Sequence, residues 1–153
     1  MTNYILILSL FIALASCKND KKNTSENIKI GTTESTKKTQ QTPLEESMER
    51  GGMVYTDFCM QCHLANGQGI PGNFPPLANS SWLRDKRTES IRAVKYGQKG
   101  KIVVNGKTYD GIMVPMGLSD QEVADVMNYV MNRWGNSQDK MVTEEEVAKV
   151  EKE

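Results

Sequence analysis

Apolar positions along this chain change their spacing from segment to segment, and each spacing predicts a different element. Tyr4 to Ala15 is an apolar stretch (YILILSLFIALA), too short to span a bilayer as a mature helix but of the length of a secretory signal's apolar region. Lys18 to Gln41 is polar throughout, with no aromatic and only Ile28 and Ile30 as larger apolar residues. It cannot bury enough surface to offset the entropy of ordering it, so a disordered tether is expected, with a span on the order of 25–30 Å as a flexible coil. At Thr42-Pro43-Leu44-Glu45 the pattern becomes helical. Thr as N-cap, Pro at the first helical position and Glu three after the cap form a capping box, predicting a helix from about Pro43 to Phe58. Gly51-Gly52 weakens that helix and points to close approach of another one.

A second helix is expected over Glu89 to Tyr96, capped by Thr88 and stopped by Gly97. From Lys101 to Tyr109, Asn105-Gly106 stands between β-forming runs, a strong hairpin signal. Ser119-Asp120-Gln121-Glu122 is another capping box; Val123, Val126, Met127, Val130, Met131 and Trp134 follow at helical spacing, and Gly135 closes the run. A short charged helix within Thr143 to Lys152 can follow. The fold class is therefore mostly α with a small hairpin. The expected organisation is a leader over 1–16, a tether over 17–41, a domain over 42–137 and a charged tail over 138–153.

Composition changes this picture in two ways. Lys plus Arg equals Asp plus Glu, 19 of each, which argues against a general nucleic-acid binder. At 38% apolar and 7% aromatic the chain as a whole is lean for a packed globule, and several apolar positions are Met, a flexible gap-filler. A large flat cofactor would supply the missing interior.

The cysteines supply the chemistry. Of three, Cys17 stands alone, while Cys59-Met60-Gln61-Cys62 runs straight into His63, the single histidine. Leu14-Ala15-Ser16-Cys17 resembles the lipobox of bacterial lipoproteins; the resemblance implies cleavage before Cys17, lipidation of its sulfur and attachment to a membrane. The competing reading is plain secretion, since Ala13-Leu14-Ala15 is also a small-x-small cleavage site. That cut would leave Cys17 as an exposed thiol. CMQCH matches the attachment sequence for c-type haem. Two thiols at this spacing each add across one vinyl group of the porphyrin, and the following His63 is held under the iron as an axial ligand. A structural zinc site wants four Cys or His ligands, a thioredoxin-like pair wants a βαβ setting, and a disulfide across so short a loop is strained and leaves His63 unexplained. Bis-histidine ligation is impossible with one histidine. The other face of the iron is filled by Met, by a rarer ligand such as Lys or a terminus, or by nothing; Met113 and Met116, in the irregular segment between hairpin and last helix, are the candidate sulfurs, while Met127 and Met131 read as core, and Met48, Met53 and Met60 as packing.

From about Gly51 to Gly135 the chain resembles the class I monohaem cytochrome c family, and more narrowly its small bacterial members. The matching residues are Gly51 and Tyr55 ahead of CMQCH, then Asn66-Gly67 through Pro75-Pro76-Leu77. Val104 to Met113, Leu118 to Val130 and Trp134-Gly135-Asn136 complete the match. The resemblance implies a cytochrome c fold, with three to four helices around one covalent haem c. It implies a helix crossing at Gly51 against Tyr129, a Pro75 carbonyl accepting the ring N–H of His63, and Met113 as the sulfur ligand, with Met116 the alternative because Val114 intervenes before Pro115. The expected function is single-electron transfer between respiratory partners, by a carrier rather than an enzyme, free or as a subunit of a larger oxidoreductase. The expected location is the exported face of a bacterial envelope, lipid-anchored, or soluble in the periplasm after plain cleavage. Arg84, Lys86, Arg87, Arg92, Lys95, Lys99, Lys101 and Lys107 outnumber Asp85 and Glu89 in their stretch. They form either a solvated face or a docking patch for an acidic partner.

Overall fold

The structure, a computed structural model, describes residues 41–152; the expected leader, the lipidation site Cys17 and nearly all of the expected tether lie outside them. Element order is α1 (Pro43–Val54), a π-helical turn (Tyr55–Cys59), α2 (Met60–His63), α3 (Ser81–Asp85), α4 (Arg87–Tyr96), β1 (Gln98–Val104), β2 (Lys107–Met113), α5 (Asp120–Val130) and α6 (Glu144–Ala148). Because α1, the π turn and α2 follow without a break, these are five helical rods and one two-stranded antiparallel sheet. The rods exceed the three to four expected because α3 is a single turn too short to show a period, while α6 falls within the short charged helix expected over Thr143 to Lys152.

The first rod opens as its sequence predicts. Thr42 Oγ1 accepts from the Glu45 N–H at 3.3 Å, and the Glu45 carboxylate accepts from the Thr42 N–H at 2.7 Å. It then outruns the predicted end at Phe58, passing through the π turn to His63. Its partner is α5, begun by the same reciprocal cap between Ser119 and Glu122. The two helices cross at Gly51. A Cβ there would collide with the Asp125 carbonyl carbon at 2.5 Å and with Tyr129 Cβ at 2.9 Å, so the crossing is possible only with a bare backbone. Around it Asp125, 2% exposed, accepts from Ser47 at 2.6 Å and takes a two-pronged pair from Arg50 at 2.7 and 2.8 Å. The buried carboxylate is thereby fully partnered. Beyond the crossing, the rings of Tyr55, Tyr129 and Trp134 pack with centroids 4.9–5.5 Å apart.

Three sequence expectations are corrected. Helix α5 stops at Val130, short of Trp134: Asn136 Nδ2 donates to the Val130 and Leu77 carbonyls at 2.8 and 2.7 Å, and Trp134 turns into the left-handed region at φ 52. Helix α4 starts at Arg87, with Lys86 as its cap and Thr88 inside it, because α3 ends immediately before. The hairpin is longer than Lys101–Tyr109, pairing from Val104↔Lys107 out to Gln98↔Met113, although its two-residue turn is the one expected, with Asn105 and Gly106 both at positive φ.

The segment after residue 137 packs as part of this core. Val142 and Val147 are fully buried and Val150 nearly so. Asn128 on α5 brackets Val142, donating to its carbonyl at 2.8 Å and accepting its N–H at 2.7 Å. Arg87 forks onto Glu146 at 2.7 and 2.9 Å, and Lys95 donates to the Val147 carbonyl at 2.9 Å.

Candidate functional site

The π turn sets the attachment sequence in place. One extra residue per turn rotates the helix face, and Cys59, at its end, is 9% exposed, with Cys62 half-buried and His63 8% exposed. The chain then leaves the rod sharply at Leu64, whose φ is 63, a costly conformation for a branched side chain. The buried Tyr55 hydroxyl holds it there, donating to the Leu64 carbonyl at 2.6 Å. Nothing in the sequence pattern announced this role for Tyr55.

The loop that follows folds back beneath the imidazole. Gly69 donates to the His63 carbonyl at 3.0 Å, and a Cβ on Gly69 would lie 2.6 Å from the Pro75 carbonyl oxygen; only glycine lets the strands of this loop close on one another. The Pro75 carbonyl then accepts the His63 Nδ1–H at 3.0 Å. Burial pulls the imidazole below its ordinary pKa, and the bond to Pro75 only partly opposes it. His63 is therefore a neutral ring with its proton on Nδ1 and its Nε2 lone pair free. Burial, then the neighbouring Cys62, pushes the Cys59 thiol up to about 11, so that thiol is protonated at neutral pH.

Cys59, Cys62, His63, Pro75, Met113 and Met116 all line one cavity of about 360 Å³. Its floor is Val126, Met127 and Val130 of α5, and its sides come from Trp82, Leu83, Ala93 and Val94 and from the hairpin. Met113 lies on the same face of β2 as the buried Tyr109, by strand alternation; Met116 reaches the cavity from the loop beyond. Met131 is core, while Met127 is both core and floor. Met48, Met53 and Met60 are not part of the lining. No Lys, Arg, Asp or Glu is among the lining residues. Sequence reading gave no part to α3, whose Trp82 and Leu83 close one side. The signal for it was Ser80, whose Oγ accepts from the Leu83 N–H at 3.4 Å as a cap.

These residues fit haem c. Two thiols and an imidazole whose Nδ1 is engaged by Pro75 line one cavity, sulfur-bearing side chains stand in the same lining, and the volume falls in the ~300–1,000 Å³ range of ligand sites. Among the described residues no cluster of three or more His, Cys, Asp and Glu is placed to hold an ion, so the zinc reading has no donor set.

The basic stretch resolves differently from its sequence. Arg84 pairs with Asp85, Lys86 with Glu89, Arg87 with Glu146 and Lys95 with Asp120, and Arg92 donates to the Glu151 carbonyl. Only Lys99, Lys101 and Lys107, exposed on the hairpin, project from it without such a pair. A continuous cationic patch does not form.

Comparison with known proteins agrees with this geometry. The cytochrome c family model matches residues 48–134. Cytochrome c-552 of Thermus thermophilus is 39% identical over 109 residues, covering 65% of this chain and 82% of that protein. The cytochrome c subunit of the quinone alcohol dehydrogenase of Gluconobacter oxydans is 33% identical over 104 residues, 65% of this chain and 21% of the relative. The Cbb3-type cytochrome c oxidase subunit FixP of Bradyrhizobium diazoefficiens is 31% identical over 91 residues, 56% of this chain and 30% of the relative. With more than half of the chain under the family model and most of a cytochrome c-552 matched, the protein belongs to the cytochrome c family: it carries covalent haem c and serves as an electron carrier.

Proposed function

We propose that this protein is a lipid-tethered cytochrome with one His/Met-ligated haem, passing single electrons between redox proteins at the exported face of a bacterial membrane. Cys59 and Cys62 hold the haem as thioethers, His63 Nε2 and the Met113 sulfur are the axial ligands, and Cys17 carries the lipid. The observation that supports this most is the bond from His63 Nδ1 to the Pro75 carbonyl, 3.0 Å long, which leaves the other ring nitrogen as a fixed donor beside both thiols. Haem c, when bound, supplies a one-electron iron couple whose potential the axial ligands and the burial of the site set. The chain supplies the rest. Pro75 keeps His63 in one tautomer and one orientation, the apolar lining excludes water, and the hairpin and α5 form a stiff frame, so little rearranges when charge changes. Redox proteins are natural partners, given that relatives are named as subunits of a dehydrogenase and an oxidase.

Met116 lines the same cavity, so the sulfur assignment has one rival. Met113→Ala should let carbon monoxide bind the reduced protein and should lower the potential, while Met116→Ala leaves the visible spectrum nearly unchanged. The reverse pattern assigns the ligand to Met116. Prompt carbon monoxide binding by the native protein rejects methionine ligation altogether.

A further inference from the structure

Asn105 does more than reverse the chain at the hairpin turn. Its positive φ, shared with Gly106, is what the two-residue turn requires, and glycine would serve there as well. The side chain and N–H of Asn105 are then free to reach α3. Asn105 Oδ1 accepts from the Ser81 N–H at 2.8 Å, and the Asn105 N–H donates to Ser81 Oγ, also at 2.8 Å. Ser81 is the first residue of α3, so its N–H is one of the donors that a helix leaves without an internal partner. Ser80 caps the Leu83 N–H; the acceptor for Ser81 comes from 24 residues further along the chain.

Both partners need this clasp. Five residues are too few for a helix to hold itself, yet Trp82 and Leu83 of α3 form one side of the cavity. A two-stranded sheet is marginal on its own. Val104 and Tyr109, at the turn end of the ladder, are buried but stand outside the apolar cluster that contains Leu83. The clasp thus joins to that core an end of the hairpin that its own apolar residues do not. Met113 lies at the other end of the ladder, opposite Gln98. We propose that Asn105 is a positioning residue for the haem site, its reciprocal bonds with Ser81 fastening the hairpin to α3 and so keeping the Trp82–Leu83 wall and Met113 in register around the cofactor. The inference rests on the function proposed above, in which Met113 is the sixth ligand. The turn is about 20 Å from Met113 along the seven residues of β2. Opening the clasp therefore loosens the frame that carries the sulfur, without removing any group from the site itself.

Displacement of the methionine ligand by imidazole in ferric holoprotein, followed by stopped-flow absorbance, tests this. Asn105→Gly keeps the turn but removes the acceptor, and displacement should become faster by about threefold to tenfold, the effect of losing one or two exposed hydrogen bonds. Asn105→Asp keeps both the turn and an acceptor for the Ser81 N–H, so its rate should stay within about twofold of the parent's. Ser81→Ala removes the other half of the clasp and should speed displacement as well. Combining it with Asn105→Gly should add little, because the two bonds act as one unit. A glycine variant with the parent's rate, or an aspartate variant as fast as the glycine one, overturns the positioning role. Prompt carbon monoxide binding by the ferrous parent would instead overturn the methionine ligation on which the proposed function stands.

Discussion

Gly51 shows what one absent side chain does at the residue scale. The Asp125 carbonyl and Tyr129 Cβ occupy the space where a Cβ would stand, so Gly51→Ala must push α1 and α5 apart. Its cost is expected at about 1–3 kcal/mol or more, despite the better helix propensity of alanine. Denaturant melts of the holoprotein measure it, and a loss below about 0.5 kcal/mol would mean that the crossing is looser than described. Gly51, Tyr129, Cys59, Cys62, His63 and Pro75 were legible in the sequence because each belongs to a motif with fixed offsets. Tyr55 was legible only as a matching position. Its hydroxyl acts on the Leu64 carbonyl across the π turn, and no local spacing encodes that contact.

Elements with strong local signals formed as read. The caps at Thr42 and Ser119 and the turn at Asn105-Gly106 each satisfy their own backbone groups and need nothing distant to do so. Elements made by tertiary contact escaped. Helix α3 buries one large side chain, Leu83, and has no period to detect; α6, which buries only Val147, was legible from its charged run and cap and not from any period. Of the ion pairs within the basic stretch, Arg84–Asp85 and Lys86–Glu89 are local, but Arg87–Glu146 and Lys95–Asp120 join residues far apart. The Arg87–Glu146 pair fastens α6 to α4 and predicts a pH dependence. Arg87 holds the Glu146 carboxyl below its ordinary value of 4.5. A depressed folded-state value means that the unfolded chain binds the proton first as pH falls. The contribution is therefore present above about 4.5 and fades as pH drops through the lowered value. Glu146→Gln should cost up to about 1 kcal/mol in melts near neutral pH, and the gap between variant and parent should close once the pH has fallen below the lowered value. A gap that persists in acid would show that the side chain packs rather than pairs.

At the scale of the described residues, the fold closes around one apolar cavity that the attachment sequence lines. The cavity bounded by α2, α4, α5 and the hairpin takes up the interior that 38% apolar residues leave unfilled. Among the described residues no helix is long and apolar enough to cross a membrane; the proposed attachment rests on Cys17. Cys17→Ser should release the protein from the membrane fraction into the soluble one while leaving its visible spectrum unchanged, as fractionation of expressing cells would show. Protein that stays with the membrane would place the anchor elsewhere. Electron transfer by this protein requires haem joined to both central thiols, and mass spectrometry of native protein after thiol alkylation and proteolysis reads that directly. The peptide spanning Cys59 to His63 should carry the mass of one haem and no alkyl group. Two alkylated cysteines and no haem on that peptide would contradict it.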